Sequence, residues 1–259
     1  MALLACDMDG TVIPLENSAR QQQAIEEFSC LVAKKQFRLA YITGRHFSHA
    51  LSGIKEFQLP EPEFLCCDVG TSIYKKSEGE WRIDQSYREQ LSLAWASEQS
   101  GVISQLICSQ ASFREQEAEK QAEFKRSFYF STEAVGSNIE QEVLEILNEK
   151  SIVCSVIVSR DPLTGDGLLD VLPAKVAKDT ALGFLVDEID EQHSEVVYAG
   201  DSGNDLSVFL KDYRSIVVAN APKEVKDAVK VKQSEGSLFI ASEKYMRGVL
   251  EGCRWHGLS

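Results

Sequence analysis

The chain has 259 residues, of which 44% are hydrophobic and 26% are charged, so its composition excludes a wholly disordered or collagen-like protein. Its 40 acidic and 27 basic residues give a formal net charge of -13, which argues against a protein that binds nucleic acid or an anionic membrane surface. A site for a phosphorylated ligand must therefore supply its own positive charge. The length predicts one large domain or two modest ones.

The cysteines and the apolar segments bear on the cellular compartment. None of the 7 cysteines forms a Cys-x-x-Cys pair or has the spacing of a zinc site, so we expect free thiols in a reducing environment. No segment reaches the roughly 20 apolar residues that a membrane helix needs. The first residues lack the basic start and long apolar run of a signal peptide. These features predict a cytoplasmic protein without a membrane segment.

The first part of the sequence alternates between short apolar strands and amphipathic helices. Strands are predicted at residues 3–6, 38–42 and 64–68, and helices at residues 18–36 and 47–57. This order is typical of a parallel sheet covered by helices.

The middle of the sequence has a different order of elements, after which strand and helix alternate again. In the middle, helices are predicted at residues 90–109 and 139–148, and strands at residues 125–131, 151–159 and 168–172. Beyond it, helices are predicted at residues 179–186 and 205–210, and strands at residues 195–199 and 214–218.

This arrangement predicts an α/β protein with a Rossmann-like parallel-sheet core and an inserted domain. The core is expected to be discontinuous, with residues 1–79 and 174–259. Residues 80–173 are expected to form an α+β cap domain.

Pairs of acidic residues follow two of the predicted strands. Asp7 and Asp9 come after the first strand, and Asp201 and Asp205 come after a late strand. Ligands of open α/β sheets bind at the carboxyl ends of the strands, so we expect these carboxylates to lie close together. Carboxylates brought together repel one another unless a cation lies between them, and oxygen ligands favour Mg²⁺. Taken singly, each pair is also an ordinary turn sequence.

Three short motifs resemble those of the haloacid dehalogenase (HAD) superfamily of phosphatases, in the same order and spacing. The motifs are Asp7-Met8-Asp9-Gly10-Thr11, Tyr41-Ile42-Thr43-Gly44-Arg45 and Gly200-Asp201-Ser202-Gly203-Asn204-Asp205. The remaining motif of the superfamily is a lysine before a helix, for which Lys175 and Lys178 are both candidates. We choose Lys178, because the five residues that it begins resemble the helix start of the family.

The resemblance implies a role for each motif residue. Asp7 is expected to be the nucleophile that forms an aspartyl-phosphate, and Asp9 the general acid and base. Thr43, together with Gly44 and the backbone amides near it, is expected to bind the phosphate oxygens. Lys178 is expected to balance the negative charge of the nucleophile and the phosphate.

The resemblance also implies Mg²⁺ as a cofactor. The expected ligands are the carboxylates of Asp7 and Asp201 and the backbone carbonyl of Asp9. Asn204 and Asp205 are expected to lie just outside the ligand set, with Asp205 orienting Lys178 or a metal-bound water.

Within the superfamily, the chain resembles sucrose-phosphate phosphatase and its relatives, both in its large cap and in residues 39–45, 69–74 and 125–129. That family has Gly-Ser-Glu-Ile-Tyr where this chain has a serine, Ser72, in place of the glutamate, so one acidic acceptor for sugar hydroxyls is missing. The resemblance implies a sugar-phosphate substrate. The residues expected to bind it are Gly70, Thr71 and Ser72 on the core loop and Lys125 and Ser127 on the cap.

The expected activity is hydrolysis of the phosphate ester of a disaccharide or glycoside. The enzyme alternatives are another capped HAD phosphatase, for mannosyl-phosphoglycerate or a hexose phosphate, and a phosphomutase, because the first motif serves both chemistries. The non-enzyme alternatives are a phosphoaspartate receiver, which lacks the late Gly-Asp-x-Gly-Asn-Asp loop, and a sugar-phosphate sensor, against which the intact acids and lysine argue. We expect a monomer or weak dimer with no nucleic-acid partner.

Overall fold

The structure is a computed structural model that describes residues 2–16, 18–34, 37–95, 99–131, 138–161, 164–190 and 192–258. Within these ranges the strands form two sheets, one of 8 strands and one of 4. The strands are β1 (Leu3–Cys6), β2 (Arg38–Ile42), β3 (Phe64–Cys67), β4 (Ser72–Ser77), β5 (Glu80–Ile83), β6 (Phe113–Glu115), β7 (Arg126–Phe130), β8 (Cys154–Arg160), β9 (Gly167–Pro173), β10 (Val196–Gly200), β11 (Arg214–Val217) and β12 (Leu238–Ile240).

The larger sheet has the strand order β12-β11-β10-β1-β2-β3-β4-β5. Its strands from β12 to β3 are parallel, and only β4 and β5 run antiparallel to their neighbours. The central parallel strands are short apolar runs buried on both faces, which is why the sequence reveals them. The predicted parallel-sheet core of an α/β protein is therefore confirmed.

Helices cover both faces of this sheet, and two others pack on the smaller sheet. The helices are α1 (Ala19–Lys34), α2 (Phe47–Glu56), α3 (Gln85–Ala94), α4 (Gln99–Cys108), α5 (Ile139–Asn148), α6 (Lys178–Glu188), α7 (Leu206–Phe209), α8 (Lys223–Ala228), α9 (Lys230–Ser234) and α10 (Tyr245–Trp255). Successive side chains of a strand point to opposite faces, so Leu3 joins an apolar cluster with α6, whereas Leu4 joins another with α1 and α10.

The smaller sheet, with strand order β6-β7-β9-β8, is fully antiparallel. Helices α4 and α5 pack on one of its faces, where Phe128, Leu169 and Val171 are fully buried. The opposite face, with Leu168 and Asp170, is turned towards the carboxyl ends of the core strands. This α+β unit corresponds to the predicted cap.

The strands bear directly on the predicted domain division. The predicted boundary at residue 80 falls at the start of β5, whose backbone pairs with β4 in the core sheet. We therefore propose that the first boundary lies after Ile83, because β5 belongs with the core. The second predicted boundary, at residue 174, follows directly on the last residue of β9.

The single helix predicted over residues 90–109 is two helices in the structure. Helix α3 begins five residues earlier than predicted, and the side chain of Asp84 caps it by accepting a hydrogen bond from the amide of Tyr87 at 2.8 Å. It ends at Ala94, the backbone of the following Trp95 is extended, and α4 begins at Gln99. Residues 96–98 lie outside the described residues.

Along the described part of the chain, every helix is too short or too polar to cross a membrane. All 7 cysteines are free thiols, of which Cys6, Cys66, Cys67 and Cys253 are buried, as expected for thiols in apolar stretches, whereas Cys30 and Cys108 are exposed.

Candidate active site

A cavity of about 730 Å³ lies between the carboxyl ends of the parallel strands and the cap. Its core side includes Asp7, Asp9 and Asp201, and its cap side includes Lys125 and Asp170. The position follows from the topology, because neighbouring strands β10, β1, β2 and β3 are parallel and all end at this edge. The structure therefore brings the acids of the first and last motifs to one site.

Lys178 is the first residue of α6 and is fully buried. Its ammonium group lies 2.8 Å from Oδ1 of Asp7 and 2.7 Å from Oδ1 of Asp205. Burial alone would lower the pKa of Lys178, but the carboxylates of Asp205 and Asp7 outweigh burial and raise that pKa. The lysine is therefore charged at neutral pH beside Asp7, whereas Lys175, the other candidate lysine, is exposed.

Asp205 is also fully buried, and both of its carboxylate oxygens are bonded within the protein. Oδ1 accepts hydrogen bonds from the ammonium of Lys178 at 2.7 Å and from the hydroxyl of Tyr198 at 2.5 Å. Oδ2 accepts from the backbone amides of Asp201 at 3.0 Å and Ser202 at 2.9 Å. These contacts orient Lys178 and fix the loop that carries Asp201.

Asp201 faces the cavity from the loop after β10. Its Oδ1 accepts a hydrogen bond from the Thr11 hydroxyl at 3.0 Å, and its Oδ2 accepts one from the side-chain amide of Asn220 at 3.2 Å. The same amide donates to the carbonyl of Gly10 at 2.7 Å, and the Asn220 carbonyl oxygen accepts from the amide of Tyr245 at 3.0 Å. Asn220 therefore joins both acid-bearing loops to the start of α10. Sequence analysis missed Asn220, although it follows a strand, as the other site residues do.

The carboxylates of Asp7, Asp201 and Asp205 have oxygens within 4.8 Å of one another. Burial, followed by the charge of Asp205, raises the pKa of Asp201 to about 7. Lys178 supplies one positive charge against these three acids, and the donors are all oxygens. Such a site fits a hard divalent cation such as Mg²⁺. Because Lys178 and the loop amides use the oxygens of Asp205, Asp7 and Asp201 are the side chains suited to hold the ion.

Because Asp201 is suited to hold a divalent cation, Mg²⁺ is expected to stabilise the fold more strongly as pH rises. An unfolded aspartate has a pKa of ~3.9, and folding raises that of Asp201 to about 7. Between these values the folded, metal-free protein holds a proton that the unfolded chain has released, so its stability falls as pH rises. Mg²⁺ binds the deprotonated form, so its affinity should rise by up to about tenfold per pH unit in this window.

Unfolding midpoints at about pH 5 and about pH 8, each with Mg²⁺ and with a chelator, would measure this dependence. The matched control is Asp201→Asn, which removes one of the titrating carboxylates of the site and should remove most of the response to Mg²⁺. Equal stabilisation by Mg²⁺ at the two pH values would contradict the expectation.

Asp9 and Arg45 form a bidentate ion pair at the edge of the cavity. Nε of Arg45 donates to Oδ2 of Asp9 at 2.7 Å, and Nη2 donates to Oδ1 at 2.6 Å. Partial burial opposes the charge on Arg45, but the hydrogen bonds and charge of Asp9 raise the pKa of the guanidinium overall. In this arrangement both oxygens of Asp9 are occupied by Arg45.

The second motif forms the loop after β2. Thr43 is fully buried, and its hydroxyl oxygen accepts a hydrogen bond from the amide of Arg45 at 3.1 Å. Its backbone carbonyl accepts from the amide of Val69, at 3.0 Å, so the loops after β2 and β3 are joined. Gly44 lines the cavity, as does Asn204 from the last motif.

The two predicted substrate residues of the cap differ in their surroundings. The Lys125 side chain is 5% exposed and lines the 730 Å³ cavity. Ser127 is fully buried, and its hydroxyl donates to Oδ1 of Asp170 at 2.5 Å. Asp170 in turn lines the cavity, so the cap offers an acidic group that sequence analysis missed.

The three predicted substrate residues of the core loop lie beside the large cavity. Thr71 and Ser72 line a smaller cavity of about 160 Å³ at the junction with the cap. Gly70 is a packing residue with φ of 91°, and a Cβ there would lie 2.6 Å from the carbonyl oxygen of Ala177. A substrate contact at Gly70 stays a prediction.

Asp68, directly after β3, is a buried acid beside the smaller cavity that the sequence did not single out. Its side chain is 2% exposed, and its Oδ2 accepts a hydrogen bond from the Ser72 hydroxyl at 3.0 Å. Burial raises the pKa of Asp68, with the charges of Lys125 and His46 acting in the opposite direction. An acid immediately after a buried strand is the signal that identified Asp7, and it applies here as well.

Comparison with known proteins extends over the whole chain. A sequence model of the family described as sucrose-6F-phosphate phosphohydrolase matches residues 1–257. A HAD-like hydrolase from Nitrosococcus oceani is 34% identical, over 96% of this chain and 70% of its own length. Mannosylfructose-phosphate phosphatase from Agrobacterium fabrum is 26% identical, over 100% of this chain and 98% of its own length.

Solved structures agree with these matches. The sucrose-phosphatase of Synechocystis sp. PCC6803, solved in complex with sucrose and phosphate, has a TM-score of 0.83 to this chain. The two are 26% identical, and the match covers 99% of this chain and 98% of the other. A sugar phosphatase of HAD subclass IIB shares the fold, with a TM-score of 0.68. The chain therefore belongs to the sucrose-6F-phosphate phosphohydrolase family and is a phosphatase of the HAD superfamily.

Proposed function

We propose that this phosphatase is a Mg²⁺-dependent phosphomonoesterase that hydrolyses the phosphate ester of a disaccharide or glycoside through an aspartyl-phosphate on Asp7. The observation that carries the proposal is the buried chain of ion pairs from Asp205 through Lys178 to Asp7, which faces the cavity beneath the cap. The charged, immobilised lysine holds the Asp7 carboxylate in one orientation. In that orientation an oxygen of Asp7 is able to attack the phosphorus of a bound substrate.

In the first step, a carboxylate oxygen of Asp7 attacks phosphorus and the bond from phosphorus to the ester oxygen breaks. Asp9 gives its proton to the departing oxygen, so the sugar leaves as an alcohol. Asp9 must first part from Arg45, because the guanidinium occupies both of its oxygens. Rotation of the Asp9 carboxyl group into the cavity is therefore part of the proposed step.

In the second step, a water oxygen attacks phosphorus and the bond from phosphorus to Asp7 breaks. Asp9, now ionised, takes a proton from that water. Inorganic phosphate leaves and the Asp7 carboxylate is restored. Asp9 regains its proton in this step and is ready for the next substrate.

The remaining motif residues hold the phosphate and the cation. Thr43 and the neighbouring backbone amides bind phosphate oxygens, and Lys178 offsets the charge that gathers on Asp7 and the phosphate. Asp7, Asp201 and the backbone carbonyl of Asp9 would hold Mg²⁺, which when bound neutralises negative charge at the phosphate.

The proposed substrate class is supported by the relatives and by the cavity. One relative is named for mannosylfructose phosphate, and another was solved with sucrose and phosphate. The cavity of about 730 Å³ has the size of a small-molecule site. Its cap side presents Lys125 as a donor and Asp170 as an acceptor, which suit the hydroxyl groups of a sugar.

The test is phosphate release across a panel of phosphorylated mono- and disaccharides, with Mg²⁺ and with a chelator. We expect the highest kcat/KM for a disaccharide or glycoside phosphate, and loss of nearly all activity on chelation. Para-nitrophenyl phosphate is the control for the chemistry alone, because its leaving group has no hydroxyls. Equal kcat/KM for all sugar phosphates, or full activity in chelator, would refute the proposal.

A further inference from the structure

We infer that Asp68 determines substrate specificity, by accepting a hydrogen bond from one hydroxyl of the substrate's sugar while Lys125 donates one to a neighbouring hydroxyl. This inference rests on the proposed function and deepens it, because it names a pair of groups that recognises the leaving alcohol. The ligand chemistry is a polyhydroxylated ring with two adjacent hydroxyls. One group of the pair comes from the core and the other from the cap.

The first support is a cluster of buried polar atoms with unmet hydrogen bonds. Oδ1 of Asp68 and Nδ1 of His46 are both buried, and neither has a hydrogen-bond partner among the described residues. Nζ of Lys125 lies 3.9 Å from that Oδ1, and Nδ1 of His46 lies 3.6 Å from Oδ2. Both distances are too long for direct hydrogen bonds. Buried polar atoms are nearly always bonded, so Oδ1 of Asp68 is free to accept a hydrogen bond from a ligand hydroxyl beside Lys125.

The second support is the way in which Ser72 holds the carboxylate. The Ser72 hydroxyl donates to Oδ2 of Asp68, which fixes the plane of the carboxylate and leaves Oδ1 without a protein donor. Ser72 therefore orients the Asp68 carboxylate.

The third support is the conformation of the loop. Asp68, Val69 and Gly70 have φ angles of 54°, 60° and 91°, a region that β-branched residues such as valine rarely adopt. The loop is held in this form by two backbone hydrogen bonds of 3.0 Å, from Asp68 to Arg45 and from Val69 to Thr43. Strain of this kind persists where the surroundings impose it, and it concentrates at ligand-binding sites.

The fourth support is the location of the cluster next to the reacting groups. Arg45, whose carbonyl accepts from the Asp68 amide, is the residue that pairs with Asp9. His46 lines both the 730 Å³ cavity and the 160 Å³ cavity, and Asp68 lines the smaller one. Because His46 lines both cavities, a leaving group that extends from Asp9 past His46 would approach Asp68 from the large cavity.

The test compares kcat/KM for the best sugar phosphate of the panel with kcat/KM for para-nitrophenyl phosphate. Asp68→Asn keeps the volume of the side chain and suits the left-handed backbone. We expect it to lower kcat/KM for the sugar phosphate by at least about tenfold, the scale of one charge-assisted hydrogen bond. Para-nitrophenyl phosphate should lose less than about twofold, because it makes no such contact. Inhibition by the free product sugar should weaken in parallel with the loss on the sugar phosphate.

Three further variants keep the test decisive. Lys125→Ala should show the same selective loss as Asp68→Asn. Ser72→Ala should show a smaller selective loss of about two- to fivefold, because it frees the carboxylate without removing it. Asp84→Asn is the matched control, since Asp84 lines the same small cavity but its oxygens are bonded to Lys75, Ser86 and Tyr87. Asp84→Asn should leave the ratio of the two kcat/KM values unchanged.

The outcomes separate this inference from the proposed function. A wild-type enzyme with no preference for sugar phosphates would refute the proposed function, and with it this inference. Suppose instead that the wild-type enzyme prefers sugar phosphates, but Asp68→Asn lowers kcat/KM equally for both substrates. Asp68 would then serve the fold or the phosphate, and this result would overturn the inference alone. No loss on either substrate would overturn it as well. If Asp68→Asn does not fold, Ser72→Ala and Lys125→Ala decide, and an unchanged ratio in both would overturn the inference.

Discussion

Asp7→Asn is expected to lower phosphate release from every substrate by about 10⁴-fold or more, because an amide does not attack phosphorus. The substitution is isosteric, and Lys178 keeps its contact with Asp205, so the fold should persist. Steady-state phosphate release from both the best sugar phosphate and para-nitrophenyl phosphate measures the effect. Because the nucleophile serves both substrates, the losses should be equal.

The matched control for Asp7→Asn is Asp9→Asn, two residues along the same loop. Loss of the general acid and base should slow turnover by about 10²–10⁴-fold. Asp9→Asn should still form an aspartyl-phosphate that can be trapped by acid quench, whereas Asp7→Asn should form none. Near-normal turnover by Asp7→Asn would end the covalent mechanism.

Lys178→Met is expected to affect stability and activity together. The change removes the only basic partner that the described residues supply to the buried carboxylates of Asp7 and Asp205. Breaking a buried ion pair by removing one partner costs about 3–5 kcal/mol of unfolding free energy. Loss of a preorganised positive charge at the reacting group should in addition lower kcat by about 10²–10³-fold. Urea unfolding and steady-state kinetics measure the two effects.

Lys175→Met is the control for Lys178→Met, because the same substitution is then made three residues earlier. Because Lys175 is exposed, the unfolding free energy of the Lys175→Met variant should differ from that of the wild type by less than about 0.5 kcal/mol. The activity of this variant should be unaltered. If Lys178→Met has a stability and a kcat close to those of the wild type, Lys178 does not have the structural and catalytic role proposed for it. The pair of variants therefore also tests the choice of Lys178 over Lys175 that was made from the sequence.

The fold was predictable where local pattern and tertiary structure agree. Buried parallel strands are continuous apolar runs, and β1, β2 and β10 were predicted to within a residue at each end. The hairpin of β4 and β5 was missed because its turn, Glu78-Gly79, has φ angles of 54° and 84°. Asparagine or aspartate before glycine is a recognisable sequence signal for a tight turn, whereas glutamate in that position is not.

The same distinction applies to the site. Asp7, Asp9 and Asp201 are predictable because each follows a buried strand within a few residues. Asn220 and Asp170 act through partners that only the tertiary structure brings near. The partner of Asp170 is Ser127, which lies opposite it in the register of β7 and β9, and no pattern within either strand specifies that register.

The close approach at Gly70 limits how this enzyme can change its substrate in evolution. A Cβ at Gly70 would lie 2.6 Å from the carbonyl oxygen of Ala177 and 3.2 Å from the Cα of Lys178, so the loop after β3 and the start of α6 form one rigid unit. An insertion or a bulky residue in this loop would shift Lys178 as well as Asp68 and Ser72. If these two residues bind the sugar as proposed, divergence towards a new sugar proceeds by exchange of their side chains on an unaltered backbone. Turnover, which depends on Lys178, and selectivity, which we assign to Asp68 and Ser72, can then be inherited separately.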